Sequence, residues 1–192
     1  MQKQGDKLKN IIHIFGGAGS GTTTLGKKIC DELGYKHMDT DDYYWLPTEP
    51  RFTQKRPVTE RLELMRADIE KYDNIVISGA LANWGDELIP YFTLAVRIQA
   101  DTDLRIERIK NREKARFGSR IEPGGDMHKG HLDFLEWAGL YESGGLDVRS
   151  KAKHDLWQKQ LPCPILYLNG SESLNQNFQK VVNALQEQET KI

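Results

Sequence analysis

Apolar residues along the chain follow two periods. Short apolar runs at 11–15, 74–78, 93–98 and 165–168, with a weaker one at 35–38, read as strands. Between them the spacing is helical. Leu25, Ile29 and Leu33 stand four apart; Val58, Leu62, Met65 and Ile69 form one stripe, and Leu174, Phe178, Val182 and Leu185 another. Strand alternating with helix predicts an α/β fold whose parallel sheet is covered on both faces, because parallel neighbours need crossover helices. Ligands of such sheets gather beyond the carboxyl ends of the strands.

Two segments break the alternation. Residues 39–57, DTDDYYWLPTEPRFTQKRP, hold three prolines, four aromatics and clustered charges. Residues 117–145 hold seven of the 17 glycines, too many for one continuous helix. Long irregular stretches within a compact domain usually serve function, so both are expected to cover a substrate: 39–57 as an acceptor-binding loop and 117–145 as a lid-like insertion. The 192 residues otherwise suit a single domain, 1–192, with a sizeable core.

Composition narrows the partners. A formal charge of −1 gives no general pull toward nucleic acid or an anionic membrane, so neither is expected, and any anion must be gripped locally. Cys30 and Cys163 lack paired spacing and read as packing residues. The first ten residues, MQKQGDKLKN, are polar, and no apolar run approaches the roughly 20 residues of a membrane span. The expectation is a cytoplasmic protein.

The most informative stretch is IIHIFGGAGSGTTTLGKKI, residues 11–29. A strand runs into a glycine-rich turn that opens a helix, with Gly16 and Gly21 at the spacing of a phosphate-binding P-loop. In such a turn consecutive backbone N–H groups cradle phosphate where the helix dipole favours negative charge. Gly16, Gly17, Ala18, Gly19, Ser20, Gly21, Thr22, Thr23 and Thr24 are therefore the expected ATP-binding residues, with Thr23 at the position whose hydroxyl ligates Mg²⁺. Thr22, however, stands where the motif has lysine. The absent cation is a group of the kind worth roughly 3–4 kcal/mol in a transition state. Lys27 and Lys28, farther along the helix, are expected to point away into solvent.

On these residues the chain resembles the small P-loop kinases, meaning nucleoside monophosphate kinases such as adenylate kinase, and the shikimate and gluconate kinases. GGAGSGTTTLG followed by DTDDYYW is most similar to an adenylate-kinase-like subgroup with threonine in place of lysine. The resemblance implies a P-loop NTPase three-layer sandwich, a five-stranded parallel sheet in the order 2-3-1-4-5, and a lid over the ATP phosphates. Asp39 and Asp41 match the alternating D-T-D of shikimate kinases, where such carboxylates help hold magnesium through water and engage the acceptor hydroxyl. Mg²⁺ needs few carboxylates, and an aspartate beside a hydroxyl can orient it or take its proton. Alternation would put the two on one side of a continuing strand; the other reading is a solvated turn with a capping aspartate. Gly79 ends the third strand, where related kinases bring backbone close to substrate.

Arg105, Arg108, Arg112 and Arg116 fall on one helical face running toward the glycine-rich segment. ERIKNR within it is similar to the lid entrance of adenylate kinases, which implies Arg108 stacking on adenine and Arg112 contacting phosphate. Arg112, Arg116 or Arg120 could then replace the charge missing at Thr22; an exposed helix with local Glu107 and Glu113 pairs is the alternative. Arg149 lies where related kinases return a second lid arginine, and 169–173 where they wrap a loop around adenine, though NGSES is also an ordinary turn and N-cap. Asp126, His128 and His131 lack a fourth partner at zinc-like spacing and read as loop. His13 reads as a hydrogen-bonded structural histidine.

For the acceptor, Tyr43, Tyr44, Trp45 and Phe52 could stack on a flat ring, and Arg51, Lys55 and Arg56 could hold an anion; a hydrophobic cap over the sheet explains the aromatics as well. The function expected is a Mg²⁺- and ATP-dependent kinase of a small molecule, a nucleoside monophosphate or a small hydroxylated metabolite. Asp39, Asp41, Arg112 and Arg116 are its candidate catalytic groups, Thr23 and Asp39 its metal ligands. The competing expectations are a catalytically impaired nucleotide-binding regulator and a partner-stimulated ATPase.

Overall fold

The computed structural model describes residues 9–190; most of the polar N-terminal stretch, 1–8, lies outside the described residues. Five strands, β1 (Asn10–Gly16), β2 (Lys36–Asp39), β3 (Asn74–Ser78), β4 (Leu94–Gln99) and β5 (Ile165–Asn169), pair in parallel in the order β2-β3-β1-β4-β5. That is the order implied by the resemblance. Crossovers run from β1 to β2 on one side and from β3 to β4 on the other, so a crevice opens at the carboxyl end of the central β1.

Alternation along β1 feeds two cores. Ile11 and Phe15 pack on one face with Leu62, Met65 and Ile69 of α3 (Val58–Lys71) and Trp157 of α6 (Lys151–Trp157). Ile12 and Ile14 pack on the other with Leu25 and Ile29 of α1 (Thr22–Leu33) and Val181 and Leu185 of α7 (Leu174–Glu189). Val181, not Val182, takes the core place in α7, since spacings of four, three and four from Leu174 follow the helical period more closely. A fully buried side chain such as Ile29 or Met65 contributes about 1.5–3 kcal/mol by leaving water.

Both irregular segments carry short helices. Within 39–57, α2 (Thr40–Tyr44) is followed by a loop closed by a bridge between Trp45 and Lys55. Within 117–145 lies α5 (His128–Gly139), a full helix that the glycine content hid. The strained glycines sit in the connection instead: Gly118 ends α4 (Thr102–Phe117) with φ 59° and Gly124 turns with φ 88°. Among the described residues no helix is long and apolar enough to cross a membrane.

Candidate active site

The loop after β1 requires glycine for steric reasons. A Cβ on Gly16 would lie 2.4 Å from the Ile98 carbonyl oxygen, and one on Gly19, at φ +82°, 2.4 Å from the Arg105 carbonyl oxygen. Both neighbours are backbone and cannot swing aside. Gly21 at the N-cap of α1 has φ 105°, so its requirement is conformational. Beneath the loop Arg105 is wholly buried. Its guanidinium donates to the carbonyls of Ala18 (3.2 Å), Ala138 (3.1 Å) and Ala100 (3.2 Å) and to Thr102 Oγ1 (3.1 Å), and lies 4.9 Å from the Tyr141 ring. Arg105 is set apart from Arg108, Arg112 and Arg116 of the same helix by burial: it ties the loop to α5, and carbonyls replace its water.

Thr23 Oγ1 donates to Asp39 Oδ2 at 2.9 Å, joining the two expected magnesium ligands. Asp39 Oδ1 accepts from the Asp41 N–H at 3.1 Å as the N-cap of α2. The strand therefore stops at Asp39, and Asp41 comes beside it through a helical turn, not through strand alternation as expected. Asp41 is exposed to the cleft, with many protein atoms crowded around it. Partial desolvation by that crowding, then the charge of Asp39, raises its carboxyl pKa, against the pull of Arg149 and Arg112. Behind it, Gly79 at φ +115° would place a Cβ 2.0 Å from Thr40 Oγ1. The Gly79 carbonyl accepts from His13 Nε2 at 3.0 Å; burial lowers His13 to about 4, so the ring is neutral, in keeping with its structural reading.

These groups share one cavity of about 1390 Å³, lined by Gly16 to Thr24 and by Asp39, Asp41, Trp45, Arg51, Gly79, Arg108, Arg112 and Arg116. It exceeds the 300–1,000 Å³ usual for one ligand. Two expected acceptor residues turn away from it. Tyr43 donates its hydroxyl to Asp68 at 2.6 Å and packs against the core, while Arg56 pairs with Glu60 and donates to the Tyr43 carbonyl at 3.0 Å. Consecutive residues of α2 face about 100° apart, so Tyr44 takes the cleft side. Its ring carries the Arg61 guanidinium at 3.8 Å.

The cations divide into bound and unpaired. Arg120 grips Asp126 in two hydrogen bonds (3.0 and 2.7 Å) and reaches Glu49 at 2.6 Å, so it fastens the 117–145 segment to the 39–57 segment and, against expectation, is already engaged by carboxylates. Lys28 pairs with Glu32 at 2.8 Å, but Lys27 lines the cavity rather than turning wholly away. Arg112 has only a 3.4 Å contact with neighbouring Glu113. Arg116 lies 5.5 Å from the Phe52 ring, and Arg51 5.1 Å from the same ring, neither with a carboxylate partner among the described residues. Arg149 also lines the cavity without a salt bridge among the described residues, 5.1 Å from the Trp137 ring. Burial pushes its guanidinium pKa down and Asp41 pushes it back up, coupling the two across the cleft. At the far end Arg108 donates to the Gly170 carbonyl at 2.9 Å, bringing the expected adenine-stacking residue to the loop at 169–173. His128 is held by the Ile121 carbonyl (2.8 Å) and His131 lies 3.8 Å from Glu113.

Sequence reasoning underweighted three residues. Arg105 looked like its neighbours on the helix, Tyr44 like its twin Tyr43, and Arg149 sits in a segment with no periodicity to orient it.

No family model matches the chain. It is 40% identical over 178 residues, 93% of this chain and 98% of the other, to the uncharacterized protein YqaC of Bacillus subtilis. It is 31% identical to the cytidylate kinase of Thermococcus sibiricus over 157 residues, 76% of this chain and 77% of that one. Cytidylate kinases of three Pyrococcus species and Archaeoglobus fulgidus align over only 57–61% of their own lengths. Among solved structures, shikimate kinase from Acinetobacter baumannii in complex with shikimate superposes with a TM-score of 0.56 over 95% of this chain and 96% of that one, at 17% identity.

Proposed function

Because the chain belongs to the small P-loop kinase family, we propose that it transfers the terminal phosphoryl group of ATP to a small acceptor, a nucleoside monophosphate ahead of a hydroxylated metabolite. The observation that carries this reading is the cavity itself: a glycine loop, a Thr23–Asp39 pair and the arginines Arg112 and Arg116 of α4, Arg51 of the loop after α2 and Arg149 beyond α5 converge on one space. Cytidylate is the first acceptor to try, given the cytidylate kinases among the relatives.

The residues present fit MgATP. From 16 to 24 the loop presents backbone N–H groups at the positive end of α1, and Gly21 keeps open space beside it. Thr23 Oγ1 and the Asp39 carboxylate, 2.9 Å apart, would hold magnesium, which when bound supplies positive charge to the phosphate oxygens. Phosphoryl transfer is mostly positioning and electrostatics, so the cation need not come from the loop. Arg149, Arg112 and Arg116 face the cavity with guanidinium groups that no carboxylate neutralises fully, and supply the charge that Thr22 lacks. Asp41 orients the acceptor: it receives the proton of an attacking hydroxyl, or holds a donor group of an acceptor whose phosphate is already ionised. Tyr44, Trp45 and Phe52 then give the ring its surface, and Arg51 and Lys55 the anion its counter-charge.

The test is ADP release from MgATP by the purified protein with cytidylate, the other nucleoside monophosphates and small hydroxylated acids, against a no-acceptor control. Release that depends on one acceptor supports the proposal and names the acceptor. ATP binding without acceptor-dependent release overturns it.

A further inference from the structure

We infer that Tyr141 is a positioning residue that holds Arg149 in register with the glycine loop. The inference rests on reading Arg149 as the cation that stands in for the loop lysine, and adds the side chain that keeps the two at a fixed separation.

Tyr141 lies between the loop and the segment carrying Arg149, only 5% exposed. On one side it supports the loop. A Cβ on Gly17 would lie 3.1 Å from Cγ and Cδ1 of the Tyr141 ring and 3.2 Å from Arg105 Nη1, so the backbone at 17 rests on both groups. On the other side it closes the turn before α6. The Tyr141 carbonyl accepts from the Lys151 N–H at 2.7 Å, joining the ends of a turn whose last two residues are Arg149 and Ser150. Within it the Ser150 hydroxyl donates to the Gly145 carbonyl at 2.6 Å and accepts from the Lys153 N–H at 3.0 Å as the cap of α6. Arg149 therefore departs from a closed turn that leaves its backbone little freedom.

The tyrosine hydroxyl ties this arrangement to the sheet. It shares a 2.9 Å hydrogen bond with His154 Nδ1 of α6. Burial, then the charges of Arg149 and Arg97, lowers His154 to about 3, so the ring is neutral and the bond persists around neutral pH. His154 stands edge-on to Phe15, 5.3 Å away and one residue before Gly16. The wholly buried Arg97 of β4 donates to Asp155 (2.5 Å) and Gln158 (2.8 Å) and so fastens α6 to the sheet. Tyr141 is not among the residues lining the cavity, so its effect on transfer runs through Gly17 and Arg149. A displacement of about 1 Å between reacting groups can cost on the order of 10²-fold in rate.

The experiment is a double-mutant cycle between Tyr141 and Arg149 in the full chain, read as kcat for acceptor-dependent ADP release and Kd for MgATP, together with amide hydrogen exchange. The Ser20 N–H, bonded to the Gly17 carbonyl at 3.0 Å, reports on the loop, and the Lys151 N–H on the closed turn. Tyr141→Leu should lower kcat about 10²-fold while weakening MgATP by no more than about fivefold. Combined with Arg149→Met it should cost no more than about twofold beyond Arg149→Met alone, because both changes remove the same placed cation. In Tyr141→Leu both amides should exchange about tenfold faster with those of β3 unchanged, whereas Arg149→Met should alter neither. Tyr141→Phe keeps the ring and loses the His154 bond, so it should retain protection at Ser20, speed exchange at Lys151 and lower kcat about tenfold. Additive losses in the cycle, or wild-type exchange at Ser20 in the leucine variant, overturn the inference. Should that variant fail to fold, the phenylalanine variant decides, and a kcat within about twofold of the wild type overturns it. Without acceptor-dependent release by the wild type the kinase proposal falls, and paired exchange at Ser20 and Lys151 still decides this one. Release with additive losses does the reverse.

Discussion

The two ends of the cavity differ in what builds them. At the end proposed for the phosphoryl donor the chemistry belongs to the backbone: glycines at 16, 19 and 21, the start of α1 and the loop after β5 set the geometry, and side chains such as Arg105 and Arg108 brace it. At the end proposed for the acceptor it belongs to side chains on a five-residue helix and an irregular loop, so one residue's rotation decides whether a group faces the cavity or the core. A site built from backbone tolerates few substitutions at its glycines, whereas a site built from side chains can change its ligand one residue at a time.

The sharpest way to break that contrast is at Gly19. Gly19→Ala drives a Cβ into the Arg105 carbonyl at positive φ, and is expected to abolish nucleotide binding and cost about 2 kcal/mol or more of stability. Calorimetry with ATP and thermal melting would show both. Next comes Arg112→Ala, expected to abolish acceptor-dependent transfer, a fall of about 10²-fold or more in kcat, with an unchanged melting temperature. Near-normal turnover would remove Arg112 from the mechanism.

Twin tyrosines sharpen the comparison within the acceptor end. Tyr44→Leu should raise the acceptor KM about tenfold, with Arg61 losing its ring partner. Tyr43→Phe should leave KM unchanged and cost about 1 kcal/mol through the lost bond to Asp68. Equal effects on KM would mean that α2 does not separate the two.

The smallest effect concerns Asp41. Its folded pKa is raised, so the ionised carboxylate costs stability at neutral pH, and the cost is relieved as pH falls through that raised value. Asp41→Asn should therefore melt higher than the wild type at pH 7, with the gap closing below the ordinary carboxylate range, while transfer falls. A melting difference independent of pH would contradict the raised pKa of that group.

This division also explains what could be read beforehand. Strand order, the two core stripes and the glycine loop follow from period and backbone sterics, which a sequence displays. The roles of Arg105 and Tyr43 do not, because their partners come from α5 and α3 and nothing local sets their direction; Arg56 is drawn off by Glu60 four residues on, once α3 forms. The helix α5 was hidden because Gly130 and Gly139 lie within it, and tertiary packing against α4 outweighs their low propensity. Arg149 gains meaning only when folding brings it to Asp41.

The central claim is that arginines of the cleft, Arg149 foremost, take the place of the loop lysine. The most direct measurement compares kcat for acceptor-dependent ADP release, and Kd for MgATP, between the wild type and Arg149→Met. The account predicts a fall in kcat of about 10²–10³-fold with Kd changed by no more than about threefold. An unchanged kcat, or a loss confined to ATP affinity, would contradict it.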